Sequence, residues 1–198
     1  MENEAKSQVP PWNQIYTILR SQAEKIHNSG FKPDVIVGIT RGGWVPARIL
    51  PDLLGIYTLA TIRVEFYVGV AETKNEFVLT QSVSAYVTGK ETLLVDDMAD
   101  TGKSLQLVTE HLQNQGATEV RVSMLYYKPS NLFTPHFYEK KTRRWVIFLL
   151  NTKEVVMKIL ENRGENSVNV EVTKLVNAGL LKRLMEELLK ETVEAEKC

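Results

Sequence analysis

The chain has 198 residues, 43% hydrophobic and 24% charged, which suits one domain with a modest addition and a proper core. Its 24 Lys+Arg balance 24 Asp+Glu, so no general attraction to nucleic acid or an anionic membrane is expected, and an anion site has to be built locally. The single cysteine, Cys198, excludes an intrachain disulfide and fits a reducing cytoplasm.

Met1–Pro10 is polar and lacks the apolar core of a signal peptide, and no apolar run nears the roughly 18–20 residues of a membrane span. Residues 1–11 read as a flexible leader ending at Pro10-Pro11. Trp12–Ile26 carries Ile15, Ile18, Leu19, Ala23 and Ile26 at helical spacing, with Asn13 as cap and Gly30 as stop. Asp34–Thr40 is a buried strand, Arg41-Gly42-Gly43 a tight turn, and Trp44–Leu54 a helix with Pro46 in its first turn. Pro51 is expected to bend or divide that helix. Thr58–Val68 and Phe77–Val87 read as strands around a polar stretch, Gly69–Glu76, making a long hairpin or flap. Thr92–Asp97 is a short buried strand, Met98–Gly102 a loop, and Lys103–Gln115 a helix. Glu119–Tyr127 and Arg144–Leu150 are two more strands. Strands alternating with helices give an α/β fold with a largely parallel sheet flanked by helices, over residues 12–151. Residues 152–198 form a small helical C-terminal extension, with helices at Thr152–Leu160 and Thr173–Lys190 around a polar link, Asn162–Ser167. Leu180, Leu181, Leu184, Met185, Leu188 and Leu189 make its apolar stripe.

The informative segment is Leu93-Leu-Val-Asp-Asp-Met-Ala-Asp-Thr-Gly-Lys-Ser-Leu105. A buried strand delivers Asp96 and Asp97 to its C-terminal end, and Asp100 follows. Thr101-Gly102-Lys103-Ser104 then opens a helix, where free N–H groups, the helix dipole, hydroxyls and a glycine make a phosphate cradle. Ligands of open α/β sheets bind at this edge. Carboxylates beside a phosphate cradle suit a ligand with both phosphate and hydroxyl or metal-binding groups, such as a phosphorylated ribose. Two plainer readings stand beside this one. Gly102-Lys103-Ser104 resembles the end of a P-loop, but that motif needs a glycine where Asp97 stands. Asp96 and Asp97 are otherwise a solvated strand end with Asp100 as a helix cap.

The segment resembles the phosphoribosyl pyrophosphate signature of type I phosphoribosyltransferases, and the resemblance covers about residues 12–150. It implies that Asp96 and Asp97 bind the ribose 2′ and 3′ hydroxyls and help organise Mg²⁺. It also implies that Asp100, Thr101, Gly102, Lys103 and Ser104 wrap the 5′-phosphate. Lys103 stands where the family often has a second glycine or an alanine. Thr40-Arg41-Gly42-Gly43 occupies the place of the family's pyrophosphate loop, where small residues let backbone N–H groups approach phosphate. Lys74 falls in the stretch matching the family's flap.

For the base, the resemblance is to the 6-oxopurine members. It implies that Lys128 donates to purine O6, that Trp145 stacks on the ring, that the Val146 backbone meets the ring edge and that Asp100 handles the proton near N7. Many relatives carry a Pro-Trp-Asp or Pro-Trp-Glu stretch whose carboxylate accepts from the guanine amine; here the residues are Leu149-Leu150-Asn151. Asn151 accepts or donates, so hypoxanthine, xanthine and adenine all stay open beside guanine. The implied enzyme is a Mg²⁺-dependent pentosyltransferase of purine salvage, cytoplasmic, a dimer or tetramer, with phosphoribosyl pyrophosphate and a purine base as partners. The competing class is a regulator that binds the sugar donor without catalysis. Thr173–Cys198 balances Lys/Arg with Glu and offers no basic face for nucleic acid.

Overall fold

The computed structural model describes residues 7–67, 76–130, 133–161 and 168–195. In chain order the elements are β1 (Ser7–Gln8), α1 (Trp12–Asn28), β2 (Val35–Thr40), α2 (Trp44–Leu54), β3 (Leu59–Tyr67), β4 (Glu76–Gln81), β5 (Glu91–Ala99), α3 (Lys103–Asn114), β6 (Glu119–Tyr127), β7 (Phe137–Lys141), β8 (Trp145–Val146), a 3₁₀ turn at Leu149–Asn151, α4 (Thr152–Glu161), α5 (Val168–Asn177) and α6 (Lys182–Ala195). They form two compact units, residues 16–143 and residues 1–15 with 144–198.

The larger unit is a six-stranded sheet in the order β4-β3-β2-β5-β6-β7. All neighbours are parallel except the β3–β4 hairpin. Each central strand is apolar on both faces, as a doubly covered parallel sheet requires. Val35, Val37, Ile39, Leu94, Val122 and Met124 pack with Leu105, Val108 and Leu112 of α3. On the opposite face, a Cβ built on Gly38 would lie 2.7 Å from Cβ of Ala47, so the missing side chain lets α2 close on β2. Further along, Ser123 Oγ donates to Oε1 of the buried Gln22 of α1 (3.1 Å), and Gln22 Nε2 donates to the Met124 carbonyl. From β2 the chain passes through α2 to β3 on one side; from β5 it passes through α3 to β6 on the other. The switch point therefore lies between β2 and β5, where such sheets form a binding crevice at their carboxyl ends.

The smaller unit packs Val9, Ile147, Val155, Val156, Leu175, Leu180 and Met185 into its own core. Among the described residues β8 pairs only with β1, in parallel, Ser7 opposite Trp145 and Gln8 opposite Val146.

Several expectations change. The segment Arg144–Leu150 is not a strand of the main sheet: two residues of it form β8, and Leu149–Asn151 is a 3₁₀ turn. The sheet edge is instead β7, unforeseen because Phe-Tyr-Glu-Lys-Lys is short and charged; its pairing with β6 supplies the stability that its own pattern lacks. Ser7 and Gln8, expected in a flexible leader, form β1. β4 stops at Gln81. Val83, Ala85 and Val87 still turn inward, so the alternating pattern persists, but there Ser84 bonds Thr61 through its backbone and its hydroxyl instead of continuing the ladder. β5 runs on through Met98 and Ala99, held by β6. α2 continues through Pro51. The expected helix Thr173–Lys190 is two helices, because Gly179 sits at φ 112° in the break. Lys74 and residues 69–75 of the expected flap lie outside the described residues, although β3 and β4 do pair as its antiparallel stem.

Candidate active site

Two loops meet at the switch point. β2 ends at Thr40, and the chain turns through Arg41, Gly42 and Gly43 into α2; the Thr40–Arg41 peptide is cis. A Cβ on Gly42 would fall 2.5 Å from the carboxyl atoms of Asp97. One on Gly43 would fall 2.3 Å from the Val95 carbonyl oxygen and 2.9 Å from Cα of Asp96. The Gly43 contacts are with backbone, so that glycine is required for the turn to lie flat on the end of β5, whereas at Gly42 the neighbour is the tip of the Asp97 side chain. The Thr40 hydroxyl donates to the Ile62 carbonyl, 3.2 Å away. What Thr40 offers a ligand is therefore its backbone.

Asp96 is 8% exposed and Asp97 half-buried. The Asp97 N–H donates to Oδ1 of Asp96 (2.9 Å), and the Met98 N–H donates to Oδ1 of Asp97 (2.7 Å). Burial, and then the neighbouring Asp97 charge, push the Asp96 carboxyl well above the usual range, against the pull of the Asp97 and Gly43 backbone N–H groups. Burial raises Asp97 to about 6. The pair is thus short of positive charge. Among the described residues no group of three or more His, Cys, Asp or Glu side chains assembles as a metal cage. Two adjacent carboxylates do suit Mg²⁺, which keeps waters and takes one or two carboxylates plus substrate phosphate oxygens.

The β5–α3 loop follows. Gly102 takes φ 80° immediately before α3, no side chain caps that helix, and no acid stands in its first turn. The start of α3 is the positive end of the helix dipole, with N–H groups beyond the intrahelical ladder, the arrangement that binds phosphate. Thr101 and Lys103 are exposed, Ser104 less so, and the Lys103 N–H reaches Thr101 Oγ1 at 3.5 Å.

Parallel pairing places Ala99 opposite Tyr127, so the next residues, Asp100 and Lys128, emerge side by side. Lys128 Nζ lies 2.5 Å from Asp100 Oδ1; the lysine side chain is 23% exposed and the aspartate 68%. The sequence separates these two residues by the whole of α3 and β6 and gives no sign that they pair; only the strand register does. Thr40–Gly43, Asp96, Asp97, Asp100–Ser104 and Lys128 are thus gathered at the carboxyl ends of three adjacent strands. Hollows of about 420 and 410 Å³ beside α2 include none of them.

Trp145, Val146 and Asn151 belong to the smaller unit. Trp145 is 45% exposed and Val146 buried. The Asn151 N–H donates to the Phe148 carbonyl (2.9 Å) directly before α4.

Residues 7–168 match the model of the phosphoribosyl transferase domain. The chain belongs to the phosphoribosyltransferase family. It is therefore a pentosyltransferase on this α/β scaffold. Its solved relatives include the purine phosphoribosyltransferase of Pyrococcus horikoshii Ot3, 34% identical with a TM-score of 0.66, covering 72% of this chain and 92% of that one. The xanthine-guanine phosphoribosyltransferase of Cereibacter sphaeroides is 32% identical over 145 residues, 69% of this chain and 82% of the relative. The hypoxanthine-guanine phosphoribosyltransferase of Saccharomyces cerevisiae is 28% identical over 160 residues, 72% and 68% of the two chains.

Proposed function

We propose that this phosphoribosyltransferase joins a 6-oxopurine base to phosphoribosyl pyrophosphate, releasing pyrophosphate and a purine nucleoside 5′-monophosphate, as a purine salvage enzyme. The observation that carries the substrate class is the Lys128–Asp100 pair at the head of the sheet. An ammonium donates only, so it suits the carbonyl at purine position 6 and disfavours the amine of adenine. The carboxylate beside it accepts from N7–H. Relatives named for xanthine, guanine and hypoxanthine support the same reading.

In the reaction, the bond from C1′ to the pyrophosphate oxygen breaks, the bond from C1′ to purine N9 forms, and the purine gives up one proton. Positive charge builds at C1′ as in glycoside chemistry. The carboxylates of Asp96 and Asp97 accept from the ribose hydroxyls. The Gly102–Ser104 backbone at the start of α3 holds the 5′-phosphate. The Arg41–Gly43 loop takes the leaving pyrophosphate, with backbone N–H groups and a guanidinium where negative charge develops. Asp100 holds the purine proton near N7. Trp145 stacks on the ring, the Val146 backbone borders it, and Asn151 faces the position-2 substituent. Asp96 and Asp97 would also hold Mg²⁺, whose charge neutralises the diphosphate.

A nucleic-acid-binding regulator is the weaker reading, because Lys182 and Arg183 of α6 are paired with Glu186 and Glu187. No helix among the described residues is long and apolar enough to cross a membrane. We place the enzyme in the cytoplasm as a homo-oligomer, a dimer or tetramer, which sedimentation would test. The deciding assay is pyrophosphate release with phosphoribosyl pyrophosphate, Mg²⁺ and each of adenine, hypoxanthine, guanine and xanthine. A 6-oxopurine should exceed adenine in kcat/KM by about tenfold or more, the scale of leaving a charged donor unpaired. A preference for adenine would refute the base assignment.

A further inference from the structure

A two-residue strand has little to fix it by itself, so what holds Trp145–Val146 matters. Ser7 and Gln8 run alongside it, and the Ile147 N–H donates to the Gln8 carbonyl (2.9 Å). The next residue, Val9, is tied in the other direction. Its N–H donates to the Ala178 carbonyl (3.0 Å), and its side chain, 8% exposed, packs in a core with Ile147, Leu180 and Met185. Ala178 and Gly179 form the turn between α5 and α6. Gly179 has φ 112°, and a Cβ on it would lie 3.3 Å from the Val9 carbonyl oxygen. That turn lies beyond residue 168, where the match to the family ends.

We infer that Val9 and the Ala178–Gly179 turn are positioning residues for the purine site. The helical extension clamps residues 7–9, and residues 7–9 in turn hold Trp145–Val146 in the orientation that stacks on and borders the base. Releasing Val9 lets the Gln8 carbonyl leave the Ile147 N–H, and the short strand then loses its pairing with β1. The inference rests on the reading of Trp145 and Val146 given above. It adds that the extension contributes to base affinity although it carries no base-binding residue itself. The loops for the sugar donor belong to the other unit, so the effect should be selective for the base.

The test compares Val9→Ala, Gly179→Val, the conservative Val9→Ile and Trp145→Ala in the full chain. Val9→Ala and Gly179→Val should raise the purine KM about five- to tenfold, with the KM for phosphoribosyl pyrophosphate within about twofold of wild type. Val9→Ile should keep the wild-type value. A second readout does not depend on activity: with Trp12→Phe and Trp44→Phe as background, acrylamide should quench Trp145 more readily in Val9→Ala. Val9→Ala, which removes little volume, keeps the test alive if Gly179→Val does not fold. A raised purine KM in Trp145→Ala but not in Val9→Ala overturns the inference alone, as does unchanged quenching. An unchanged purine KM in both variants overturns the reading of the base site beneath it.

Discussion

At the ends of β2 and β5 the loops are closely packed: Gly42 faces the Asp97 carboxylate, and at Gly43, which lies on the backbone of Val95 and Asp96, there is no room for a side chain. Around Trp145 the construction is the reverse. A strand of two residues is held by an N-terminal segment and a helical turn distant in sequence, through a two-residue ladder, the hydrogen bonds that flank it and a small core. In the proposed reaction the first region takes the ribose phosphate and the pyrophosphate, and its geometry is written into two short contiguous segments. In the same proposal the second takes the base, and its geometry depends on packing. Such a division lets specificity shift without disturbing the donor site.

The largest effect expected from this comparison is at Gly43. Gly43→Ala places a Cβ against backbone atoms on both β2 and β5, which cannot move aside as a side-chain tip would. It should cost about 2–4 kcal/mol in unfolding free energy, the range of overpacking plus backbone displacement, and abolish measurable turnover. Denaturant unfolding and pyrophosphate release would check both. A soluble Gly43→Ala protein with wild-type stability would show that the two loops are not closely packed.

Next comes Asp97→Asn, which separates function from stability in the same region. Burial raises the Asp97 carboxyl to about 6, so its contribution to stability is present at low pH and lost as pH rises through about 6. At pH 7.5 the ionised pair is therefore a cost to the unliganded protein. Asp97→Asn should raise Tm at pH 7.5 by about 2–4 °C, corresponding to about 1 kcal/mol, and narrow the gap in Tm between pH 5 and pH 7.5. The same variant should lower kcat/KM for phosphoribosyl pyrophosphate by about a hundredfold, as loss of a preorganised charged contact does. A fall in Tm would mean that the carboxylate is already compensated within the protein.

The sequence showed the two regions unequally. Leu93–Leu105 is legible because strand, carboxylates, glycine and helix start follow one another, and each has a local cause. The Arg41–Gly43 turn is legible for the same reason, although nothing local says that Gly42 exists to clear Asp97. The Asp100–Lys128 pair depends on the β5–β6 register, which a linear pattern does not carry. β7 and β8 depend wholly on partners, β6 for one and the N-terminal segment for the other. Apolar character at Trp145–Leu150 predicts a buried strand, but the same pattern serves equally well for residues lining a small helical core. The break at Gly179 was hidden because leucines on both sides continue the helical stripe.

The smallest expected effect tests the second region's freedom to vary. Asn151 stands directly before α4, with its backbone N–H bonded to Phe148 and the Thr152 hydroxyl bonded to the Leu149 carbonyl. An aspartate is a good residue at a helix start, where its charge meets the positive end of the dipole, so Asn151→Asp should fold as the wild type does. If residue 151 faces purine position 2, the new carboxylate accepts from the guanine amine with a charge-assisted bond that an amide does not provide. Guanine should then gain over hypoxanthine by about three- to tenfold in kcat/KM, equivalent to about 1 kcal/mol. Xanthine, which presents a carbonyl there, should lose by a similar factor. Competition between the three bases in one reaction mixture would read this ratio directly. A uniform change for all three bases would mean that Asn151 acts only as a helix start, and that position 2 is read by other residues.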